Sequence, residues 1–176
     1  MGRLTLNMLL SFAQFEREVT AERIRDKLAA SKARGMWMGG LPPLGYEPEG
    51  RSLKIVPDHA ALVQRIYRRY LELQNVRLVA EELQREQVVS PERTLRSGRG
   101  VGGRPFSRGQ LYAILRSPIY VGDIPHKDTV HPGLHEPIIG RDLWDEVQAL
   151  LTQHVQGHRR GERTASTSVL SGKVYD

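Results

Sequence analysis

Apolar residues crowd the first fifteen positions of the chain and then thin to a single line. Leu4, Leu6, Met8, Leu9, Leu10, Phe12, Ala13 and Phe15 would cover most of the circumference of a helix, which asks for burial of more than one face. From there only Val19, Ile24 and Leu28 continue the apolar line, and Arg23, Arg25, Lys27, Lys32 and Arg34 fill the remaining positions. No proline falls before position 42, the one early glycine is Gly2, and Gly35 supplies a C-terminal stop, so the pattern predicts one helix over residues 1–35. Such a rod would be on the order of 50 Å long. Its greasy first half suggests protein contact and its basic second half suggests DNA; a core helix with a solvated tail is the alternative.

Periodicity then breaks. GMWMGGLPPLGYEP, residues 35–48, cannot sustain a helix and reads as a linker or set of turns, with Trp37 and Tyr46 anchoring it to a surface or touching nucleic acid. Ser52–Val56 is a strand candidate. A helix from Pro57 to about Gln74 would bury Ala61, Leu62, Ile66, Tyr67, Tyr70, Leu71 and Leu73, and a second from Val76 to Gln87 would bury Leu78, Val79 and Leu83. SPERTLRSGRGVGGRP, residues 90–105, is too rich in Gly, Arg and Ser to pack and reads as a long loop. Ser107 is a good N-cap for a helix of about ten residues that turns Leu111, Ile114 and Leu115 inward. Ile119–Ile124 and Thr129–Ile139 suggest a hairpin with proline-rich turns, and Arg141–Gln153 a last amphipathic helix. The expected fold is mainly α with a small β-hairpin (α+β). Its parts are a long helix (1–35), a Gly/Pro linker (36–47), a helix-turn-helix-like domain (48–153) and a polar tail (154–176) with an apolar patch at Val169-Leu170.

Composition narrows the function. No apolar run approaches the roughly 20 residues that span a bilayer, and Met1–Leu10, with Arg3 and no cleavage-like site, makes a poor signal peptide. The absence of cysteine excludes disulfides and thiolate metal sites. A cytoplasmic protein is expected. A net charge of +6 favours a polyanionic partner, and its placement says more. Between Glu92 and Asp123 there is no acidic residue, while Arg93, Arg96, Arg99, Arg104, Arg108 and Arg116 all fall there. The guanidinium fork suits phosphate oxygens and guanine edges. Helix 76–87, a connection and the Ser-capped helix after it resemble a helix-turn-helix, although the connection exceeds the usual 3–4 residues. On that reading Ser107, Arg108, Gln110 and Tyr112 face bases or phosphates.

Three other motifs carry less. Gly98-x-Gly100-x-x-Gly103 formally matches a dinucleotide fingerprint but lacks the apolar strand before it and the helix after it. A mobile arm that orders on a phosphate backbone or minor groove fits it better. His126, His131 and His135 lie among Pro132, Gly133 and Pro137, which break any helical metal spacing, and read as a polar hairpin. Ser11 and Ser31 have no neighbouring base, so neither is a nucleophile candidate.

LSFAQFERE (residues 10–18), Glu22-Arg23-Ile24-Arg25 and Gly35 closely resemble the long helix that follows the catalytic domain of serine recombinases. GMWMGGLPPLGY looks like that family's linker. IVPDHAALVQRIYRRYL, LVAEELQREQV, FSRGQLYAILRSPIYVGD and HEPIIGRDLWDEVQALL are similar to the "recombinase" DNA-binding domain of large serine recombinases. The resemblance covers almost the whole chain, with its motifs in order. It implies sequence-specific binding of double-stranded DNA for integration, excision or inversion, no cofactor, a homodimer, and a tetramer when sites are synapsed. In the family an upstream serine forms a 5′-phosphoserine link; that domain would precede Met1, so this stretch alone is not expected to cut DNA. Glu22 and Arg23 match accessory positions, Arg23 assisting at the phosphate or dimer interface and Glu22 orienting it. The first half of the helix would supply dimer contacts. The second half, with Arg25, Lys27, Lys32 and Arg34, would cross the minor groove. Many members continue into a zinc ribbon; SVLSGKVYD looks like its lead-in, yet no cysteine follows, leaving truncation and a cysteine-free relative both open. The rival classes are a free-standing helix-turn-helix regulator and an assembly module in which residues 1–20 oligomerise.

Overall fold

A computed structural model describes residues 2–94, 98 and 100–162, with side-chain surroundings for residues 6–94, 98 and 100–154. Among them are five α-helices and three antiparallel strand pairs, a mainly helical α+β fold. In order these are α1 (Gly2–Ala33), β1 (Tyr46–Glu49), β2 (Ser52–Ile55), α2 (Pro57–Leu73), α3 (Val76–Arg85), β3 (Arg93–Thr94), β4 (Gly100–Val101), α4 (Arg108–Leu115), a 3-10 turn (Pro118–Val121), β5 (Asp123–His126), β6 (Thr129–Pro132) and α5 (Arg141–Glu162). The apolar patch at Val169-Leu170 lies outside the described residues.

Among the described residues the Cα trace packs as two units: residues 2–62 with 117–138, and residues 63–94, 98 and 100–116 with 139–162. The first contains α1, β1–β2, the start of α2, the 3-10 turn and β5–β6. α1 stops where the sequence placed the stop. The Gly35 N–H donates to the Lys32 carbonyl and the Met36 N–H to that of Ser31, a pairing that satisfies carbonyls the helix leaves open. Gly35 sits at φ +74, and a Cβ there would collide with the Pro132 carbonyl oxygen. Only glycine meets both demands. The Gly35 carbonyl in turn accepts from the Leu134 N–H at 3.0 Å, fastening the helix end to β6.

β1 and β2 pair with Tyr46 opposite Ile55 and Glu49 opposite Ser52. β1 begins inside the segment expected as a linker, and Tyr46 is 1% exposed. Its hydroxyl donates to the Glu136 carbonyl at 2.8 Å, and its ring stacks near Tyr120 at 6.1 Å and meets the edge of His135 at 5.3 Å. Burial pushes the phenol well above its ordinary range. Tyr46 is therefore a core residue with a satisfied hydroxyl and has no face for nucleic acid. His135 is buried too; its Nε2 lies 2.7 Å from the Ile119 carbonyl, so that nitrogen carries the proton. This corrects the polar-hairpin reading at one of its three histidines. The hairpin itself is shorter than expected: Pro118–Val121 winds into a 3-10 turn, and β5–β6 pairs only Asp123–His126 with Thr129–Pro132. Pro118 at the first turn position favours the winding.

The second unit buries Val63, Ile66, Tyr67, Tyr70, Val76, Val79, Leu83, Phe106, Leu111, Ile114, Leu115, Trp144, Val147 and Leu151. On α2 the inward stripe is Ala60, Val63, Ile66, Tyr67 and Tyr70, rotated from the expected one; Ala61 faces solvent. Leu78 on α3 is likewise exposed, with Val76 taking the inward place. In both helices two apolar phases fit the sequence, and packing chooses one. α5 runs nine residues past the expected end, through a stretch without proline.

Candidate nucleic-acid interface

α3 and α4 pack on each other within the second unit. α3 starts on Asn75, whose side chain accepts from the Arg77 N–H at 2.9 Å. α4 starts on Ser107 through a reciprocal pair. The Ser107 hydroxyl accepts from the Gln110 N–H at 3.3 Å, and the Gln110 side-chain oxygen accepts from the Ser107 N–H at 2.9 Å. The far end is held equally firmly. Tyr67 on α2 donates its hydroxyl to the Ile114 carbonyl at 2.9 Å, and Gln148 on α5 donates Nε2 to the Leu115 carbonyl at 2.7 Å. These donors satisfy carbonyls that an eight-residue helix would otherwise leave open. α4 is thereby a short rod capped at its start and pinned at its end by side chains from two other helices.

Leu111, Ile114 and Leu115 turn inward as expected, and Arg108, Gln110, Tyr112 and Arg116 are exposed. Arg108, Tyr112 and Arg116 are four residues apart, within about 80° of arc on one face. Arg116 places its guanidinium carbon 5.4 Å from the centre of the Tyr112 ring, which stiffens both side chains. Behind this face Tyr70 is buried, and burial followed by the proximity of Tyr112 raises its phenol above the ordinary value, while Arg116 opposes the rise. Two small residues escaped the sequence reading. Gly109 and Ala113 are also exposed, so the middle of the outer face has almost no side-chain bulk. A spacing of four between small residues on the polar face was the signal.

The loop expected at 90–105 is ordered at both ends by a ladder. Arg93 pairs with Val101 and Thr94 with Gly100, Val89 bridges Pro105, and the Ser90 N–H donates to the Arg104 carbonyl at 2.9 Å. Gly102 has φ +102, and a Cβ there would collide with the Pro91 carbonyl oxygen. The glycines shape a narrow ribbon, which accounts for the accidental fingerprint spacing. Arg93 is half-buried and Arg104 exposed; Arg96 and Arg99 lie outside the described residues.

The first unit carries the other candidates, all on α1. Arg25, Lys27 and Arg34 are exposed, as are Glu22 and Arg23, and Lys32 is half-buried with Nζ 3.3 Å from the Pro125 carbonyl. Leu6, Met8, Leu9, Leu10, Phe12 and Phe15 are 56–63% exposed, so the expected burial of this end does not come from the described part of the chain.

The fold and these surfaces define an α+β chain whose helix-turn-helix-like pair presents a cationic outer face. A model of the Recombinase family matches residues 57–154, more than half of the sequence, and one of the Resolvase N-terminal domain matches residues 1–37. The chain belongs to the Recombinase family of serine recombinases. Two solved structures share its fold. One is described as the crystal structure of an LSR–DNA complex, with a TM-score of 0.62 and 19% identity over 74% of this chain and 39% of that one. The other is described by the sequence requirements of the Listeria innocua prophage attP site, with a TM-score of 0.61 and 20% identity over 85% of this chain and 58% of that one. This chain thus spans less than two thirds of either neighbour's length. No helix among the described residues is long and apolar enough to cross a membrane.

Proposed function

We propose that this chain is the duplex-DNA-binding part of a serine site-specific recombinase, docking on a recombination half-site. The observation that carries the reading is the outer face of α4, where Arg108, Tyr112 and Arg116 project from a helix capped at its start and pinned at its end beside α3. A rigid helix with Gly109 and Ala113 at the centre of its outer face can approach a major groove closely, with the arginines reaching base edges or flanking phosphates. The ribbon before it supplies Arg93 and Arg104 for backbone contacts, with Arg96 and Arg99 assigned to the same task. Ser107 and Gln110 hold the helix start through their cap, and the Gln110 amide N–H groups remain for a base or phosphate.

On α1, Arg25, Lys27, Lys32 and Arg34 follow the sugar–phosphate backbone at the crossover point, and the exposed apolar end is the self-association face of a homodimer that becomes a tetramer at synapsis. Glu22 and Arg23 would serve the catalytic domain of the whole protein. The parts assigned here are the helix (1–35), linker (36–47), DNA-binding domain (48–153) and tail (154–176), with the protein at the nucleoid. The Resolvase match over residues 1–37 speaks against a free-standing regulator.

Selection from a random-sequence duplex pool tests the reading. Wild type should enrich a defined motif, and Arg108→Ala should blur it at one or two positions. Enrichment of no motif at all would contradict sequence-specific docking.

A further inference from the structure

The β5–β6 hairpin has a use that the α4 and α1 assignments leave open. Its two histidines outside the core, His126 and His131, stand near Lys127 in the connecting turn and Lys32 on the last turn of α1. The group is held in place from several sides. Lys32 donates Nζ to the Pro125 carbonyl at 3.3 Å, and the Gly35 carbonyl accepts from Leu134, so the end of α1 and the hairpin form one framework. The Thr129 hydroxyl donates to the His126 carbonyl at 2.9 Å and lies 3.4 Å from His131 Nε2. With its own hydrogen committed, that hydroxyl is left to accept from Nε2–H of His131, which fixes the ring beside the turn.

The cations are in electrostatic contact. Partial burial first, then Lys32, Lys127 and His131, hold the His126 imidazole below its ordinary value. The carboxylates on the hairpin are Asp123 and Asp128, and from Lys27 to Arg34 α1 carries no acidic residue. Lys127 also occupies the left-handed region at φ +52, where asparagine or glycine fits better. Its ammonium group therefore stands at the tip of the turn beside the other cations.

We propose that Lys32, His126, Lys127 and His131 form a phosphate-binding site that grips the DNA backbone and tightens as His126 protonates. The proposal rests on the duplex-binding reading and adds to it a contact site and a pH response. Lys32 keeps two donors beyond its bond to Pro125, Lys127 is exposed, and an anion seated among the four relieves the repulsion that depresses His126. Phosphate therefore raises the imidazole pKa, and binding takes up a proton. Affinity should climb as pH falls from about 8 to 6, by up to about tenfold.

Two variants of the full chain test this by fluorescence anisotropy on a labelled duplex at fixed ionic strength. Lys127→Asn suits the turn, so its melting temperature should match or exceed wild type, while its affinity falls for all sequences alike and its log-affinity against log-salt slope shrinks by about 0.9. His126→Gln/His131→Gln should lose the gain in affinity between pH 8 and 6 that wild type shows. Wild-type affinity and slope in Lys127→Asn, or a pH response that survives in the double variant, overturns the site. Should the double variant fail to fold, Lys127→Asn decides alone. Absence of duplex binding by wild type at low salt would instead sink the reading beneath it.

Discussion

Two groups of arginines in the second unit face opposite situations. On α2, Arg65 pairs with Glu86 and reaches Glu82 at 3.4 Å. Arg69 pairs with Glu72 and holds Glu82 with Nε 2.8 Å from one carboxylate oxygen. The hydrogen bond from Arg69, then its charge and that of Arg65, keep the Glu82 carboxyl below its usual value against the opposing effect of burial. On α4 and the ribbon before it, Arg104, Arg108 and Arg116 stand in a stretch of 30 residues, from Arg93 to Gly122, that contains no carboxylate side chain. The same side chain is thus used in two ways. Where acidic residues are at hand it staples α2 to α3; where they are withheld its charge is left for a partner. Net charge alone does not separate these uses. The position of the acids does.

The sharpest way to break the comparison is to remove one arginine from each group. Arg108→Ala should weaken duplex binding by about 1–3 kcal/mol, roughly five- to hundredfold, with an unchanged melting temperature. Arg69→Ala should do the reverse, lowering the melting temperature and leaving affinity near wild type, as calorimetry and anisotropy on the same samples would show. Equal effects of the two on DNA binding would erase the distinction.

Gly102→Ala asks whether DNA binding by the ribbon depends on its frame. The new Cβ meets the Pro91 carbonyl at a left-handed φ, so the ribbon should lose about 1–3 kcal/mol of local stability. Hydrogen exchange should quicken at Ser90 and Gly103 but not in α2, and affinity should fall because Arg93 and Arg104 lose their register. Exchange that stays slow at Ser90 would show the ladder to be incidental.

The smallest effect belongs to Glu82→Gln. The network is partly open to solvent, so its loss should cost under about 1 kcal/mol. Because the folded carboxyl titrates below its ordinary value, its contribution is complete above the unfolded value of 4.5 and is lost as pH falls through the folded one. Wild type and variant should therefore differ in melting temperature at pH 7 and draw together as pH falls below 4.5 and through the lower folded value. A difference that does not shrink at all on acidification would place the effect in packing.

Much of this was legible in the chain. The long helix and its stop at Gly35, the Ser107 cap, the inward Leu111–Ile114–Leu115 face and the acid-free arginine stretch follow from local chemistry, which a single sequence displays directly. What stayed hidden depends on partners distant in the chain. Tyr46 looked like a linker aromatic because its acceptors, the carbonyls of Ile119 and Glu136, lie more than 70 residues away. The same holds for His135 and for the ladder around Ser90, whose pairing residues sit across a glycine-rich stretch. In α2 two stripes differing by one residue are both apolar, and only the packed neighbours select Val63 over Ala61. The Arg65–Glu86 and Arg69–Glu82 pairs join two helices, so their cations could not be told from Arg104, Arg108 and Arg116 by counting charges.

If the arginines of the acid-free stretch are the ones that hold DNA, salt must weaken duplex binding steeply. Duplex affinity measured between about 50 and 300 mM salt should give a log–log slope of about −5 or steeper, about six phosphates being neutralised by the acid-free arginines and others by α1. Arg104→Ala/Arg108→Ala/Arg116→Ala should flatten it by two or more, while Arg65→Ala/Arg69→Ala leaves it in place. A slope near zero for wild type, or equal flattening by both sets, would contradict the account.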